Sequence, residues 1–196
     1  GALTRIAVPL LPRIANFDDL APLAEAPDVA LKLIEPGNPL PSDADLILLA
    51  GSQSTRGDLD PLRQNAWDTD IQAAAHRGAH VFGICGGYQM LGRTIHDPHG
   101  VEGAPGVTPG LGLLDVDTVM SSEKKLAPAS GVALTLERNF SGFEMHMGVT
   151  TGKDTTLPFL QFLDGRMDGA QSSDGRIAGT YVHGLFAEGP FRAEFL

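Results

Sequence analysis

The chain has 196 residues, of which 42% are hydrophobic and 19% charged, with a formal net charge of −10 at pH 7. This composition is ordinary for a globular protein that buries a core. The negative charge and the lack of a basic run argue against a nucleic-acid surface, and no apolar run approaches membrane-spanning length. The single cysteine excludes an internal disulfide framework, so we expect a cytoplasmic protein.

The first half of the chain alternates apolar runs with a helical segment. Four runs predict strands, at residues 6–8, 29–34, 46–49 and 80–84. Such near-continuous apolar runs are typical of parallel sheets that are covered on both faces. Before the fourth run, apolar residues recur at helical spacing: Trp67, Ile71, Ala74 and Ala75. This pattern predicts one helix with Asn65 as its N-cap and Gly78 at its end, and hence parallel, right-handed α/β units.

After residue 110 the sequence becomes β-rich. Strands are predicted at residues 113–120, 132–136, 143–147 and 177–182, with Asp-Gly turn signals at 164–165, 168–169 and 174–175. Neither a repeat nor a low-complexity linker divides the chain, so we expect one domain over residues 1–196. Because both ends look unfinished, we also expect this domain to be part of a longer polypeptide.

Cys85 lies in the run GICGGYQMLG at residues 83–92, directly after an apolar run. The run predicts a buried strand and a tight turn that opens a helix. A helix N-terminus favours the thiolate, and the neighbouring glycines let a substrate carbonyl approach the backbone. The N–H of Gly86 can then be one donor of an oxyanion hole. Cys85 is therefore a candidate nucleophile, and the alternative is a buried structural cysteine.

A thiolate nucleophile needs a proton-handling partner, usually a histidine. His183 is the strongest candidate because it follows a short predicted strand, at the kind of strand end where open α/β sheets place their sites. His146 is the second candidate. His96 and His99 share one short loop without a third ligand, which predicts a solvated turn, and we expect no metal site.

The frame Gly-x-Cys-x-Gly-x-Gln at residues 83–89 resembles the nucleophile turn of class I (triad-type) glutamine amidotransferases. Further runs, in order, resemble the C-terminal amidotransferase domain of the cobyric acid synthase family: LPRIANFD (11–18), GSQST (51–55), DPHGVEG (97–103), GLGLLD (110–115), EMHMG (144–148) and GTYVHGLF (179–186). The resemblance extends nearly from end to end. It implies an α/β, flavodoxin-like fold, in which helices flank a mostly parallel sheet and the second half is β-rich.

The resemblance implies a glutaminase. Cys85 would attack the side-chain amide of glutamine, and ammonia would leave with a proton from His183. The oxyanion donors would be the N–H of Gly86 and an N–H at Gly51 or Ser52.

Gln89 matches the position that contacts glutamine in this class, and the alternative is an exposed helix residue. Typical class I enzymes carry an acid two residues after the histidine, whereas here Gly184 and Leu185 follow. The acid that orients His183 is thus open, with Glu188 and Glu144 as the first candidates. His146 and Glu144 either line the glutamine pocket or hold the β-rich half together.

The resemblance also implies a partner, an ATP-dependent synthetase domain of the same polypeptide. The chain has no phosphate-binding Gly-x-x-x-x-Gly-Lys-Ser/Thr motif, so ATP and Mg²⁺ are expected in that domain and no cofactor in this one. The expected ammonia acceptor is a corrinoid, adenosylcobyrinic acid a,c-diamide, which would be amidated on its b, d, e and g carboxylates.

Three alternatives stay open at the level of sequence. An α/β-hydrolase elbow with Cys in place of Ser fits residues 83–87, but the short chain and the β-rich half argue against it. An amidotransferase that serves a Mur-ligase-like partner shares a similar Cys-Gly-Gly-Tyr-Gln string. A non-catalytic docking module would need the nucleophile or the histidine lost, and both are present.

Overall fold

The computed structural model describes residues 3–196, which form strands, α-helices and short 3₁₀ helices. The strands are β1 (Thr4–Pro9), β2 (Ile14–Ala15), β3 (Val29–Ile34), β4 (Leu46–Leu49), β5 (Gly51–Ser52), β6 (His80–Ile84), β7 (Thr94–Asp97), β8 (Gly106–Pro109), β9 (Asp117–Ala133), β10 (Arg138–Thr151), β11 (Leu160–Phe162), β12 (Met167–Asp168), β13 (Ala170–Gln171), β14 (Ile177–Thr180) and β15 (Val182–His183). The α-helices are α1 (Ala21–Glu25), α2 (Thr55–Gln64), α3 (Trp67–Arg77), α4 (Gly86–Leu91) and α5 (Gly189–Phe195). The 3₁₀ helices span Phe17–Asp19, Lys153–Thr156 and Leu185–Ala187.

The first sheet has the strand order β13-β14-β6-β4-β1-β3. Every neighbouring pair is parallel except β13 with β14. The four strands predicted in the first half are confirmed as β1, β3, β4 and β6. In β4 all four side chains are buried, as expected for a central strand that is covered on both faces.

Along the strands of the first sheet, successive side chains alternate between two apolar clusters, one on each face of the sheet. Ile47 and Leu49 of β4 pack with buried side chains of α2, α3 and α4, whereas Leu46 and Leu48 pack with those of α1 and α5. The sheet is therefore flanked by helices, and the predicted mostly parallel α/β fold is confirmed.

The second sheet has the order β12-β11-β9-β10-β15, with β7 and β8 joined to it at β9. Its centre is the long antiparallel pair β9 and β10, which confirms the predicted β-rich second half. The predicted ends of the strands at 113–120 and 132–136 were wrong. Residues 113–116 precede β9, and β9 runs unbroken to Ala133 through Pro128 and Gly131. Leu114 and Val116 are instead buried beside α4, so tertiary packing explains their apolar character.

The helix predicted before β6 is confirmed as α3, which ends at its C-cap Gly78, but a second helix, α2, precedes it and was not predicted. Asn65 is the C-cap of α2, and its side-chain amide donates to the Pro61 carbonyl at 2.8 Å, so its predicted role as the N-cap of the next helix was wrong. The N-cap of α3 is Ala66, with φ of 57° and no side-chain cap. Helix α2 was not predicted because it has Pro61 in its interior, where proline usually breaks a helix. None of the helices between residues 3 and 196 is long and apolar enough to cross a membrane.

Candidate active site

Cys85 occupies the turn between β6 and α4, as the sequence predicts. Its backbone has φ of 54° and ψ of −109°, which is a strained conformation for a residue with a Cβ. Its N–H donates to the Thr180 carbonyl at 2.8 Å, and its thiol donates to the Met145 carbonyl at 3.2 Å. The structure thus holds the sulfur at the carboxyl ends of β6 and β14, where open α/β sheets place their ligands.

Gly87 lets α4 lie against the sheet directly behind the cysteine. A Cβ at this position would overlap the carbonyl oxygen of Leu49. The glycine therefore serves the packing of the nucleophile turn, since no larger residue fits without moving α4 away from β4.

His183 ends β15 and is 1% exposed. Its Nδ1 lies 2.7 Å from Oδ2 of Asp19, whose Oδ1 accepts a hydrogen bond from the Gly184 N–H at 2.6 Å. A Cβ placed on Gly51 would lie 3.3 Å from Cε1 of His183 and 3.8 Å from Cβ of Cys85, so the imidazole and the cysteine flank the same point. Nε2 of His183 is buried and has no hydrogen-bond partner within residues 3–196. The nitrogen that Asp19 leaves free is thus available for proton transfer.

The surroundings of His183 favour its protonated form. Burial lowers the pKa of His183, but the hydrogen bond with Asp19 and the nearby Cys85 sulfur outweigh burial and raise the pKa to about 9. In the structure the Cys85 thiol is hydrogen-bonded to the Met145 carbonyl rather than to Nε2 of His183. Hydrogen bonds between catalytic groups are often long before substrate binds, so this geometry is compatible with a Cys–His pair.

Asp19 is the acid that contacts His183, and it was not predicted from the sequence. Glu188 is exposed at the start of α5, and Glu144 binds His146, so neither of the two acids considered first contacts His183. Asp19 lies directly after the run 11–18 that matched the resemblance, but its position 164 residues before His183 gave no local signal. A short 3₁₀ helix after β2 brings it to the imidazole.

The proposed oxyanion donors lie together. A Cβ on Gly86 would be 3.0 Å from the backbone nitrogen of Ser52 and 2.8 Å from Oγ1 of Thr55. The hydroxyl of Ser52 donates to Asp58 at 2.7 Å, which fixes the loop after β4. The backbone at Gly86 thus lies close to the backbone at Ser52.

These elements surround a cavity of about 130 Å³. Six of the predicted site residues line it, and so do Glu102 and Lys124: the six are Cys85, His183, Gly51, Ser52, Gln89 and His146. The cavity is far smaller than the pockets that hold drug-sized ligands, at roughly 300–1,000 Å³.

Gln89 is 3% exposed, so the alternative of an exposed helix residue was wrong. Its amide nitrogen donates to the Met147 carbonyl and to the Tyr181 hydroxyl, both at 3.1 Å, and its oxygen accepts from Thr55 Oγ1 at 2.9 Å. Gln89 thereby joins α4 to α2 and to the second sheet at the wall of the cavity.

His146 lines the cavity, and Glu144 holds it from behind. The ring of His146 stacks on Tyr181 with centroids 3.8 Å apart, and its Nε2 lies 3.0 Å from a carboxylate oxygen of Glu144. The other carboxylate oxygen lies 3.5 Å from both Lys125 and Arg166. His146 therefore belongs to the cavity wall, whereas Glu144 does not line the cavity and instead ties the second sheet together.

His96 and His99 lie away from this cavity. His96 is exposed in β7, and its Nε2 is 3.0 Å from the Thr94 hydroxyl. Within residues 3–196, no three side chains of His, Cys, Asp or Glu are grouped so that they could hold a metal ion.

The fold is that of the class I glutamine amidotransferases. PurLQS from Thermotoga maritima superposes with a TM-score of 0.70 at 18% identity, covering 98% of this chain and 96% of that one. A glutamine amidotransferase from Methylobacillus flagellatus superposes with a TM-score of 0.54 at 15% identity, covering 93% of this chain and 70% of that one.

Sequence comparison gives the family. Residues 5–191 match the model of the CobB/CobQ-like glutamine amidotransferase domain, and the chain belongs to that family. It is 58% identical to cobyric acid synthase of Methylobacterium nodulans over 191 residues, 97% of this chain and 39% of that protein. It is 56% identical to cobyric acid synthase of Methylorubrum populi over 196 residues, 100% of this chain and 40% of that protein. The chain thus spans about two fifths of the length of the curated relatives that it matches.

Proposed function

We propose that this chain is the glutaminase domain of a cobyric acid synthase and releases ammonia from glutamine at Cys85. The observation that carries the proposal is the buried Asp19–His183 pair, which presents a free nitrogen beside a strained cysteine in an amino-acid-sized cavity.

The reaction has two halves. In the first, the proton of the Cys85 thiol passes to His183 and Sγ attacks the side-chain carbonyl carbon of glutamine. The carbon–nitrogen bond then breaks as His183 gives that proton to the leaving ammonia. In the second, His183 takes a proton from water, which attacks the thioester carbon. The carbon–sulfur bond then breaks, glutamate leaves and the thiol is restored.

The negative charge of the tetrahedral intermediates requires fixed donors. We assign this role to the N–H of Gly86 and to the N–H of Gly51 or Ser52, because these two backbone segments lie close together beside Cys85. Loss of one oxyanion donor typically costs about 3–4 kcal/mol of barrier. Gln89 and His146 complete the wall against which glutamine would lie.

The acceptor of the ammonia lies outside this cavity. A volume of about 130 Å³ suits an amino acid and is much too small for a corrinoid. We propose that an ATP- and Mg²⁺-dependent synthetase domain of the same polypeptide receives the ammonia and amidates adenosylcobyrinic acid a,c-diamide. The similarity to cobyric acid synthases over about two fifths of their length supports this assignment.

The test is glutamate release from glutamine by this chain and by Cys85→Ser, with and without a synthetase domain supplied separately. We expect release that depends on Cys85 and rises when the synthetase domain is added. A folded chain that releases no glutamate in any mixture, and whose Cys85 does not react with a glutamine-mimicking alkylator, would contradict the proposal and favour a docking module.

A further inference from the structure

The loop between β7 and β8 carries the run DPHGVEG, to which the glutaminase mechanism gives no role. One residue of this loop, Glu102, lines the same cavity as Cys85 and His183. It is a carboxylate in a pocket whose proposed chemistry does not use one.

The loop is built to hold Glu102 in place. Asp97 is fully buried and accepts hydrogen bonds from the N–H groups of Val101 and Glu102, at 2.7 and 2.8 Å. It also receives a guanidinium N–H of Arg56 at 3.0 Å, and the same guanidinium nitrogen donates to the Ala104 carbonyl at 2.8 Å. Burial acts to raise the pKa of Asp97, but these hydrogen bonds outweigh it and hold the pKa below its usual range. The buried, ionised Asp97 thus pins the backbone on both sides of Glu102.

The carboxylate of Glu102 is only partly satisfied. It accepts the N–H groups of Thr55 and Arg56, at 3.1 and 3.4 Å, at the start of α2. Within residues 3–196 no Lys, Arg or His nitrogen lies within 4.0 Å of it, because the side chain of Arg56 is paired with Asp97. An ionised carboxylate has about four acceptor sites, and these two N–H groups use two of them. Burial raises the pKa of Glu102, against the opposing N–H groups of Thr55 and Arg56 and the charge of Arg56.

Glu102 shares its cavity with the proposed nucleophile. It binds the N–H of Thr55, whose hydroxyl binds Gln89, and Gln89 follows Cys85 by four residues, or about 6 Å of helix. The α-carbon of glutamine lies three carbon–carbon bonds beyond the amide carbon that Cys85 attacks. A glutamine whose amide carbon is at the sulfur can therefore point its α-substituents toward Glu102.

We propose that Glu102 binds the α-ammonium group of glutamine and thereby makes the cavity specific for the free amino acid. This inference rests on the proposed glutaminase function and names the group that selects its substrate. An amide substrate that lacks the α-ammonium group, or carries it acylated as in a peptide, leaves the carboxylate without a cation and is disfavoured.

The experiment compares wild type, Glu102→Gln and Glu123→Gln. The last variant removes one negative charge at an exposed position of β9 that does not line the cavity. The substrates are L-glutamine and glutaramate, which is glutamine without its α-amino group. Because Glu102→Gln removes a hydrogen bond between charged groups, we expect it to lower kcat/KM for L-glutamine by about 10- to 100-fold, mostly through KM. We expect Glu102→Gln and wild type to hydrolyse glutaramate at equal rates, and Glu123→Gln to match wild type on both substrates.

A second measurement keeps the test independent of turnover. The alkylation of Cys85 by 6-diazo-5-oxo-L-norleucine, which carries the α-ammonium group, is compared with alkylation by iodoacetamide, which does not. Glu102→Gln should slow only the first reagent, and Glu102→Asp, which keeps the charge, should restore part of the rate.

Equal losses on L-glutamine and glutaramate, or equal slowing of both reagents, would show that Glu102 only supports the loop and would overturn the inference. So would an unchanged KM for L-glutamine in Glu102→Gln when the wild-type chain is active. A wild-type chain that neither hydrolyses glutamine nor reacts preferentially with the glutamine analogue would overturn both this inference and the proposed function.

Discussion

The buried pair of His183 and Asp19 makes the most demanding prediction, which concerns the substitution Asp19→Asn. The two oxygens of Asp19 serve two donors, Nδ1 of His183 at 2.7 Å and the N–H of Gly184 at 2.6 Å. An asparagine side chain has the same shape but only one oxygen, so its amide group must face one of these two partners. The substitution therefore removes the negative charge beside the imidazole and mismatches one hydrogen bond.

The expected size follows from the pKa of His183. Burial alone lowers this pKa, whereas Asp19 and Cys85 raise it to about 9. Without the charge of Asp19 we expect it to fall by about two units, equivalent to about 3 kcal/mol of lost preference for the imidazolium. At pH 8 the protonated fraction would fall from about 90% to about 10%, and at pH 6 it would hardly change.

The assay is the pH profile of kcat/KM for glutamate release, which reports the groups of the free enzyme. The wild-type rate should fall as the pH rises through about 9, because the imidazolium that protonates ammonia is then lost. In Asp19→Asn the fall should begin near pH 7, so the variant should lose about tenfold or more at pH 8 and much less at pH 6. Asp18→Asn is the matched control, since Asp18 is exposed and one residue away.

A defect of equal size at pH 6 and pH 8 would refute the electrostatic role of Asp19 and leave only a structural one. An unchanged profile would show that another group orients His183.

Three further predictions concern stability, each measured by urea unfolding. Gly87→Ala should destabilise the chain by about 1–3 kcal/mol or more, because the added methyl group overlaps the Leu49 carbonyl and pushes α4 off the sheet; a loss below about 0.5 kcal/mol would contradict that close packing. Trp67→Ala should cost about 3–5 kcal/mol, since the side chain is fully buried and its indole N–H donates to a backbone carbonyl; a smaller loss would mean that the cavity collapses. Burial raises the pKa of Asp168 to about 6, against the opposing hydrogen bond from Thr180, so its folded-state pKa lies above the ordinary value near 3.9. Asp168 therefore makes its full contribution to the free energy of unfolding below about pH 4. This contribution, roughly 3 kcal/mol, is lost as the pH rises through about 6, and Asp168→Asn should abolish that pH dependence.

The sequence by itself determined the local parts of this protein. The nucleophile turn was predictable because a buried strand, a cysteine and closely spaced glycines stand next to one another in the chain, and their conformations depend on neighbours only. The strands at residues 29–34, 46–49 and 80–84 were predictable for the same reason, since a short apolar run in an α/β protein is usually a buried strand of the central sheet. His183 was identified because it ends such a run.

The tertiary structure decided what depends on residues far apart in the chain. Asp19 reaches His183 across 164 residues, and Glu102 reaches Thr55 across 47, through the order in which the strands assemble. No periodicity encodes such pairs, because each partner has an ordinary local sequence and acquires its role only when two sheets and α2 meet. The break between α2 and α3, where Asn65 bonds back to Pro61 and Ala66 takes a positive φ, was likewise not predicted from the local sequence. The chain thus carries its proposed nucleophile in a local motif, whereas the contact of Asp19 with His183 and the cavity wall exist only in the folded state.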